Sequence, residues 1–282
     1  MRIANAGGRL VLTFGGGVVD VERASGGRLP ADPASALERF GELGDWVAGA
    51  RGLEAAVQPV EPAELGPPSP APRQVFAIGL NYRDHAAEAQ LEVPTEPAVF
   101  TKFPSCLTGP HGTVELPGER VDWEVELVVV MGRRAEHVEP ADAWSYVAGL
   151  TLGQDISERR LQFRGKPPQF SLGKSYPGFG PMGPVLVTPD EFANPDDLEI
   201  GCCLDGEEVQ RARTALMVFS IPELVSYLSG VCPLLPGDVI FTGTPAGVGS
   251  TRSPRRYLRP GEEIVSFAEG IGEMRNRCMA RT

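Results

Sequence analysis

The stretch VDWEVELVVV, residues 121–130, sets the terms for the whole chain. Side chains of a strand alternate between its faces, so Glu124 and Glu126 share one face while Trp123, Val125, Leu127 and Val129 share the other. The second set is wholly apolar and belongs against a core. Beyond Glu126 the run stays apolar on both faces, as VELVVVM, which is the pattern of a strand buried on both sides. Two carboxylates on one buried face repel each other and need a compensating cation. The nearest basic residues, Arg133 and Arg134, lie beyond the strand end, so the pattern favours a divalent metal. Oxygen ligands with no His or Cys among them select Mg²⁺, Mn²⁺ or Ca²⁺ over Zn²⁺.

A third ligand is offered by Asp155 in GLTLGQDISERR, where an apolar run gives way to a turn-forming segment. The same residue reads equally well as the N-cap of the next turn. Three carboxylates would leave about three positions of an octahedral ion open to water or an anionic substrate. A second constellation lies in GLNYRDHAAEA. There His85 and Glu88 fall on one face if the segment turns helically, so the carboxylate can orient the imidazole as a general base. Lys174, between Gly173 and the turn-rich SYPGFG, is a candidate site cation. In DVIFTGTPAGVG a strand ends in a loop of small residues, whose N–H groups and Thr244 hydroxyl can approach an anionic ligand. Two nucleotide-like patterns fail. Gly178, Gly180 and Gly183 space as GxGxxG but are interrupted by prolines and followed by the strand-like VLVT, and the GKS at 173–175 lacks the first P-loop glycine, which is Pro168.

Composition narrows the class. The 282 residues carry a formal net charge of -11, with 42% hydrophobic and 22% charged residues, ordinary values for a globular protein. No clustered excess of Lys and Arg marks a nucleic-acid surface. No run of 18 apolar residues and no secretory signal pattern is present, so a cytoplasmic protein with no membrane association is expected. The five cysteines form no CxxC or zinc spacing and read as reduced thiols.

Residues 1–70 read as a small N-terminal α+β domain, with a helical ASALERFGELGDWVAGARGL, followed by the proline-dense VQPVEPAELGPPSPAPRQ as a linker. Residues 71–282 form the larger domain, in which short strand-like runs alternate with Gly/Pro punctuation. LDGE supplies a hairpin turn. Helical patterns are few, mainly ADAWSYVAGLTL and SIPELVSYLSG. The fold class expected is α+β, mainly β, a mixed β-sandwich or roll and not a doubly wound sheet.

Taken together, GLNYRDHAAEA, DWEVELVVVMG, GQDISERRLQ, SLGKSYPGFGPMGP, EEVQRART and LLPGDVIFTGTPAGVG resemble the fumarylacetoacetate hydrolase family, in the family's order over residues 73 to about 275. The resemblance implies a mixed β-roll, a homodimer, and Mg²⁺ or a similar ion on Glu124, Glu126 and Asp155. It further implies that His85 and Glu88 form a water-activating dyad, that Lys174 stabilises developing negative charge, and that Arg159, Gln162 and Thr244 lie at substrate-binding positions. The activity implied is hydrolysis of a carbon–carbon bond in a 2,4-dioxo acid, a small anionic substrate. Decarboxylation of an oxo acid, isomerisation of a 2-hydroxy-diene-dioate and a non-catalytic metal-stabilised module are the alternatives, since membership fixes a metal site more firmly than a reaction. QFRGKPPQF, between Gln162 and Lys174, departs from the shorter, Trp-containing form of acylpyruvate hydrolases and is expected to shape the pocket.

Overall fold

The computed structural model describes residues 1–281. The strand Val125–Met131 lies inside an eleven-stranded sheet, antiparallel to Val147–Gln154 on one side and to Val239–Phe241 on the other. Its two faces enter different cores. Val125, Leu127, Val129 and Met131 join a cluster with Ile200, Cys202, Leu204, Ile264 and Met274 of a second, five-stranded sheet. Val128 and Val130 pack instead with Ile3, Leu10, Leu37, Leu43 and Phe241. The strand is therefore central in a layered, mainly β fold of the α+β class. Glu124 and Glu126 sit at its N-terminal end, on the same face as Val128 and Val130.

Residues 1–70 do not form a sheet of their own. Arg2–Ala6 pairs antiparallel with Gly180–Val187, which joins the N-terminal strands to the large sheet. The proline-dense stretch is also tied down, because Leu65–Gly66 pairs with Arg2–Ala6 and the Ser69 hydroxyl donates to the Gly237 carbonyl at 2.6 Å. The helical region near the N-terminus is two helices, Pro33–Glu38 and Phe40–Gly49, broken at Arg39.

ADAWSYVAGLTL corrects one expectation. Only Pro140–Tyr146 turns, as a 3-10 helix, and Val147–Gln154 is a fully buried strand. Gly149 and Gly153 explain the choice. A Cβ at Gly149 would meet the Val187 carbonyl oxygen at 2.6 Å, and one at Gly153 would meet the Val128 and Phe241 side chains. These glycines let neighbouring strands approach closely, which outweighs a weak helical periodicity. SIPELVSYLSG does form a helix, Ile221–Ser229, started by a Ser220/Glu223 capping box and burying Ile221, Leu224, Val225 and Leu228. The Asp205–Gly206 hairpin turn joins Glu199–Leu204 to Glu207–Arg213, with both turn residues at positive φ. No helix among the described residues is long and apolar enough to cross a membrane.

Candidate active site

Two hydrogen bonds at the end of the central strand pair bring the carboxylates together. Asp155 N–H donates to the Glu124 carbonyl at 2.9 Å, and Glu124 N–H donates to Gln154 Oε1 at 2.9 Å. Glu124, Glu126 and Asp155 each then offer an oxygen within 4.8 Å of the others, all three buried. Asp155 is not a helix cap. The short helix Arg159–Gln162 is capped by Glu158, which accepts from the Arg160 and Leu161 amides.

The cations missing from the local sequence arrive from elsewhere in the fold. Lys174 Nζ lies 2.6 Å from both Glu124 Oε2 and Asp155 Oδ2, and Lys102 Nζ donates to Asp155 Oδ1 at 2.6 Å. Arg159 spans Asp122 and Glu124, at 2.7 Å from each. Near the strand the sequence offers only Arg133 and Arg134 as partners; the fold supplies Lys174, already a candidate site cation in the sequence, together with Lys102 and Arg159. Lys102 and Asp122 were both missed. For Asp122 the signal was present, since 122, 124 and 126 are alternate positions of one acidic face. For Lys102 it was thin, a single Lys just after the strand run AVFT.

This buried cluster holds four carboxylates against three cations. The unmatched charge is on Glu126, which has no ion-pair partner among the described residues and takes one hydrogen bond, from the Gly243 amide at 2.8 Å. Burial, then the nearby Asp155 and Glu124 carboxylates, drives its pKa well above the ordinary value. For Glu124 burial acts in the same upward direction, but Lys174 and Arg159 outweigh it and hold the group low. An excess buried anion among hard oxygen donors fits a divalent cation, which Glu124, Glu126 and Asp155 would hold.

His85 lies on the helix Arg83–Glu88, its Nδ1 2.7 Å from Glu88 Oε1. Glu88 Oε2 accepts from the Gly247 amide at 3.0 Å. Burial pushes the Glu88 carboxyl up, but the His85 and Gly247 hydrogen bonds prevail and leave it below the usual value. Amides of the loop of small residues meet carboxylates of the protein, while its Thr244 lines the cavity. Gly243, Gly247 and Gly249 donate their amides to Glu126, Glu88 and Asp122, so the anions they meet belong to the protein itself.

His85, Glu124, Arg159, Gln162, Lys174 and Thr244 line one cavity of about 600 Å³. Three of these retain hydrogen-bond donors with no acceptor among the described residues. Lys174 uses two of its three N–H bonds on carboxylates. Thr244 Oγ1 accepts from Gln210 at 2.8 Å, which leaves its proton free, and Gln162 Oε1 accepts from Arg159, which leaves its amide NH₂ free. Arg159, by contrast, is committed to Asp122, Glu124 and Gln162.

A family model described as the fumarylacetoacetate hydrolase C-terminal region matches residues 74–279, most of the chain. The chain belongs to the fumarylacetoacetate hydrolase family. Among its relatives, an oxaloacetate tautomerase of Rattus norvegicus is 41% identical over 273 residues, covering 94% of this chain and 85% of the relative. A fumarylacetoacetate hydrolase of Exiguobacterium antarcticum superposes over the full length of both chains with a TM-score of 0.86 at 31% identity. A maleylpyruvate hydrolase of Sphingobium sp. SYK-6, solved with manganese(II) and pyruvate, superposes over both full chains with a TM-score of 0.83 at 27% identity. The relatives of this family member are enzymes of several reaction types, hydrolase, isomerase and tautomerase among them.

Proposed function

We propose that this protein is a divalent-metal-dependent hydrolase that cleaves the C3–C4 bond of a 2,4-dioxo acid, with Mg²⁺ as the ion. The observation that supports the reading is the His85–Glu88 pair, an oriented imidazole lining the same cavity as Glu124 of the carboxylate cluster. The ion, held by Glu124, Glu126 and Asp155, would polarise the 2-oxo group and lower the cost of negative charge there. Glu88 orients His85 through Nδ1, which leaves Nε2 as the base. His85 takes a proton from water, and the water oxygen bonds to the C4 carbonyl carbon. The C3–C4 bond then breaks with its electron pair passing to C3, and return of the proton to that carbon gives a 2-oxo acid and a carboxylic acid. The free donors of Lys174, Gln162 and Thr244 are placed to hold the charge that develops on oxygen.

A second reading is tautomerisation of oxaloacetate, which the name of the relative at 41% identity favours. His85 would then move a proton between the 2-oxygen and C3, breaking the O–H bond and forming a C–H bond with no carbon–carbon bond cleaved. The test is turnover of acylpyruvates and of enol-oxaloacetate with Mg²⁺, by wild type and by His85→Ala. Release of pyruvate from an acylpyruvate, falling about 10²–10⁴-fold in the variant, supports hydrolysis. Accelerated oxaloacetate ketonisation with no pyruvate released from any acylpyruvate replaces the first reading with the second.

A further inference from the structure

The stretch EEVQRART holds a buried glutamine that the proposed chemistry does not use. Gln210 belongs to the strand Glu207–Arg213, at the edge of the five-stranded sheet. Regular alternation would bury every second residue, yet Val209 and Gln210 are consecutive and both buried. A β-bulge accounts for this. Cys202 pairs with Gln210 and Cys203 with Glu208, so Val209 is the extra residue. A bulge re-aims the side chain beside it, and here the Gln210 amide reaches out of its own sheet to the N-terminal end of the central strand.

Gln210 Oε1 accepts from the Val125 amide, between Glu124 and Glu126, at 3.0 Å, while its Nε2 donates to Thr244 Oγ1 at 2.8 Å and to the Pro245 carbonyl at 2.9 Å. These partners decide which way the amide faces. Turned over, its NH₂ would meet the Val125 N–H and its oxygen the Pro245 carbonyl, donor against donor and acceptor against acceptor. The Thr244 oxygen must therefore accept. Its own proton, with no acceptor among the described residues, is left for whatever enters the cavity that Thr244 lines. The loop and the bulge are also packed tightly together: a Cβ at Gly247 would meet the Val209 carbonyl oxygen, to which Arg252 donates at 3.0 Å.

We propose that Gln210 is a positioning residue that holds the Thr244 hydroxyl as a proton donor to the anionic head of the substrate. This rests on the cavity being the 2-oxo-acid site proposed above. Gln210 does not itself line the cavity and acts through the hydroxyl whose direction it sets. A free hydroxyl rotates and can offer either its proton or a lone pair; one that must accept from Gln210 presents its proton to an anion without reorganising.

The test is a double-mutant cycle between Gln210→Met and Thr244→Val, read as oxalate binding by calorimetry on the full-length protein in saturating Mg²⁺. Oxalate presents the carboxylate and adjacent carbonyl oxygens of a 2-oxo acid and lacks the C3–C4 bond. Thr244→Val should weaken oxalate about tenfold or more, the loss of a hydrogen bond to a charged group. Gln210→Met should weaken it about fivefold in the wild-type background but less than about twofold once Thr244 is Val, because the hydroxyl through which it acts is gone. A residue that only supports the fold would lower the melting temperature and weaken binding by the same factor in both backgrounds. Gln210→Glu, which keeps an acceptor for Val125 but, when ionised, has no proton to donate, repeats the cycle without orphaning that amide. Equal factors in both backgrounds, or an oxalate affinity unchanged in Thr244→Val or in both Gln210 variants, would overturn the assignment. A non-additive cycle in a protein that releases no pyruvate from acylpyruvates would sink the hydrolase reading and leave Gln210 in its role.

Discussion

Replacing Glu126 by Gln should move the protein's stability in opposite directions with and without metal. Glu126 is 1% exposed, carries the unmatched charge of the cluster, and faces two carboxylates whose oxygens lie within 4.8 Å of its own. At that separation, and with an effective dielectric constant of about 20, each like-charge pair costs about 3.5 kcal/mol when both members are ionised. Partial protonation of Glu126 and the nearby Lys174 offset much of this, so the neutral amide should stabilise the metal-free protein by about 1–2 kcal/mol. Glutamine keeps an acceptor for the Gly243 amide and nearly the same volume, so no cavity is created and that amide keeps its partner. The melting temperature in EDTA should rise by about 2–6 °C.

With Mg²⁺ the order reverses. At a concentration 100 times the wild-type dissociation constant, binding to the folded state adds about 2.7 kcal/mol. Loss of one carboxylate of three should weaken binding at least about 100-fold, since outer partners of metal ligands alone are worth about 10–100-fold. The same Mg²⁺ concentration then adds only about 0.4 kcal/mol to the variant. Differential scanning fluorimetry across a Mg²⁺ titration reads both effects. A variant that melts at or below wild type in EDTA, while keeping the full Mg²⁺ shift, would refute the account of an excess buried anion matched to a dication.

Lys102→Met removes a buried cation that donates to Asp155 and to the Lys174 and Phe179 carbonyls, and should cost about 3–5 kcal/mol in urea unfolding, the range for a broken buried pair; a loss below about 1 kcal/mol would show the lysine to be dispensable. Gly249→Ala places a Cβ against the Arg256 carbonyl oxygen and 2.8 Å from Asp122 Oδ1, so it should destabilise by about 2 kcal/mol or more, whereas Gly41→Ala, at a site with open space and no left-handed φ, should cost less. The Glu88 carboxyl, held below its ordinary value of 4.5, contributes stability that is fully present above that pH and is lost as the pH falls through the folded-state pKa. The difference in melting temperature between wild type and Glu88→Gln should therefore be flat above roughly pH 5 and shrink below it; a difference that grew on acidification would contradict the assigned direction.

What was legible in the sequence follows from local periodicity and short motifs. The VELVVVM run announced a strand buried on both faces, because period-two alternation needs no knowledge of partners. Asp205–Gly206 and the Ser220/Glu223 box likewise encode their turn and helix start within a few residues. The acidic positions 124, 126 and 155, the His85–Glu88 spacing and Lys174 could be singled out from short motifs, and the fold brings His85, Glu124 and Lys174 to one cavity with Glu126 and Asp155 close to Glu124. What only the tertiary structure decided is non-local. Val147–Gln154 became a strand because glycines admit neighbours on both sides, and the N-terminal residues joined the large sheet through a partner some 180 positions away. Whether the carboxylates stand alone or matched depended on Lys102, Arg159 and Lys174, brought from three segments within hydrogen-bonding distance. Electrostatic energy depends on separation in space, which the order of residues does not encode until the chain has closed on itself.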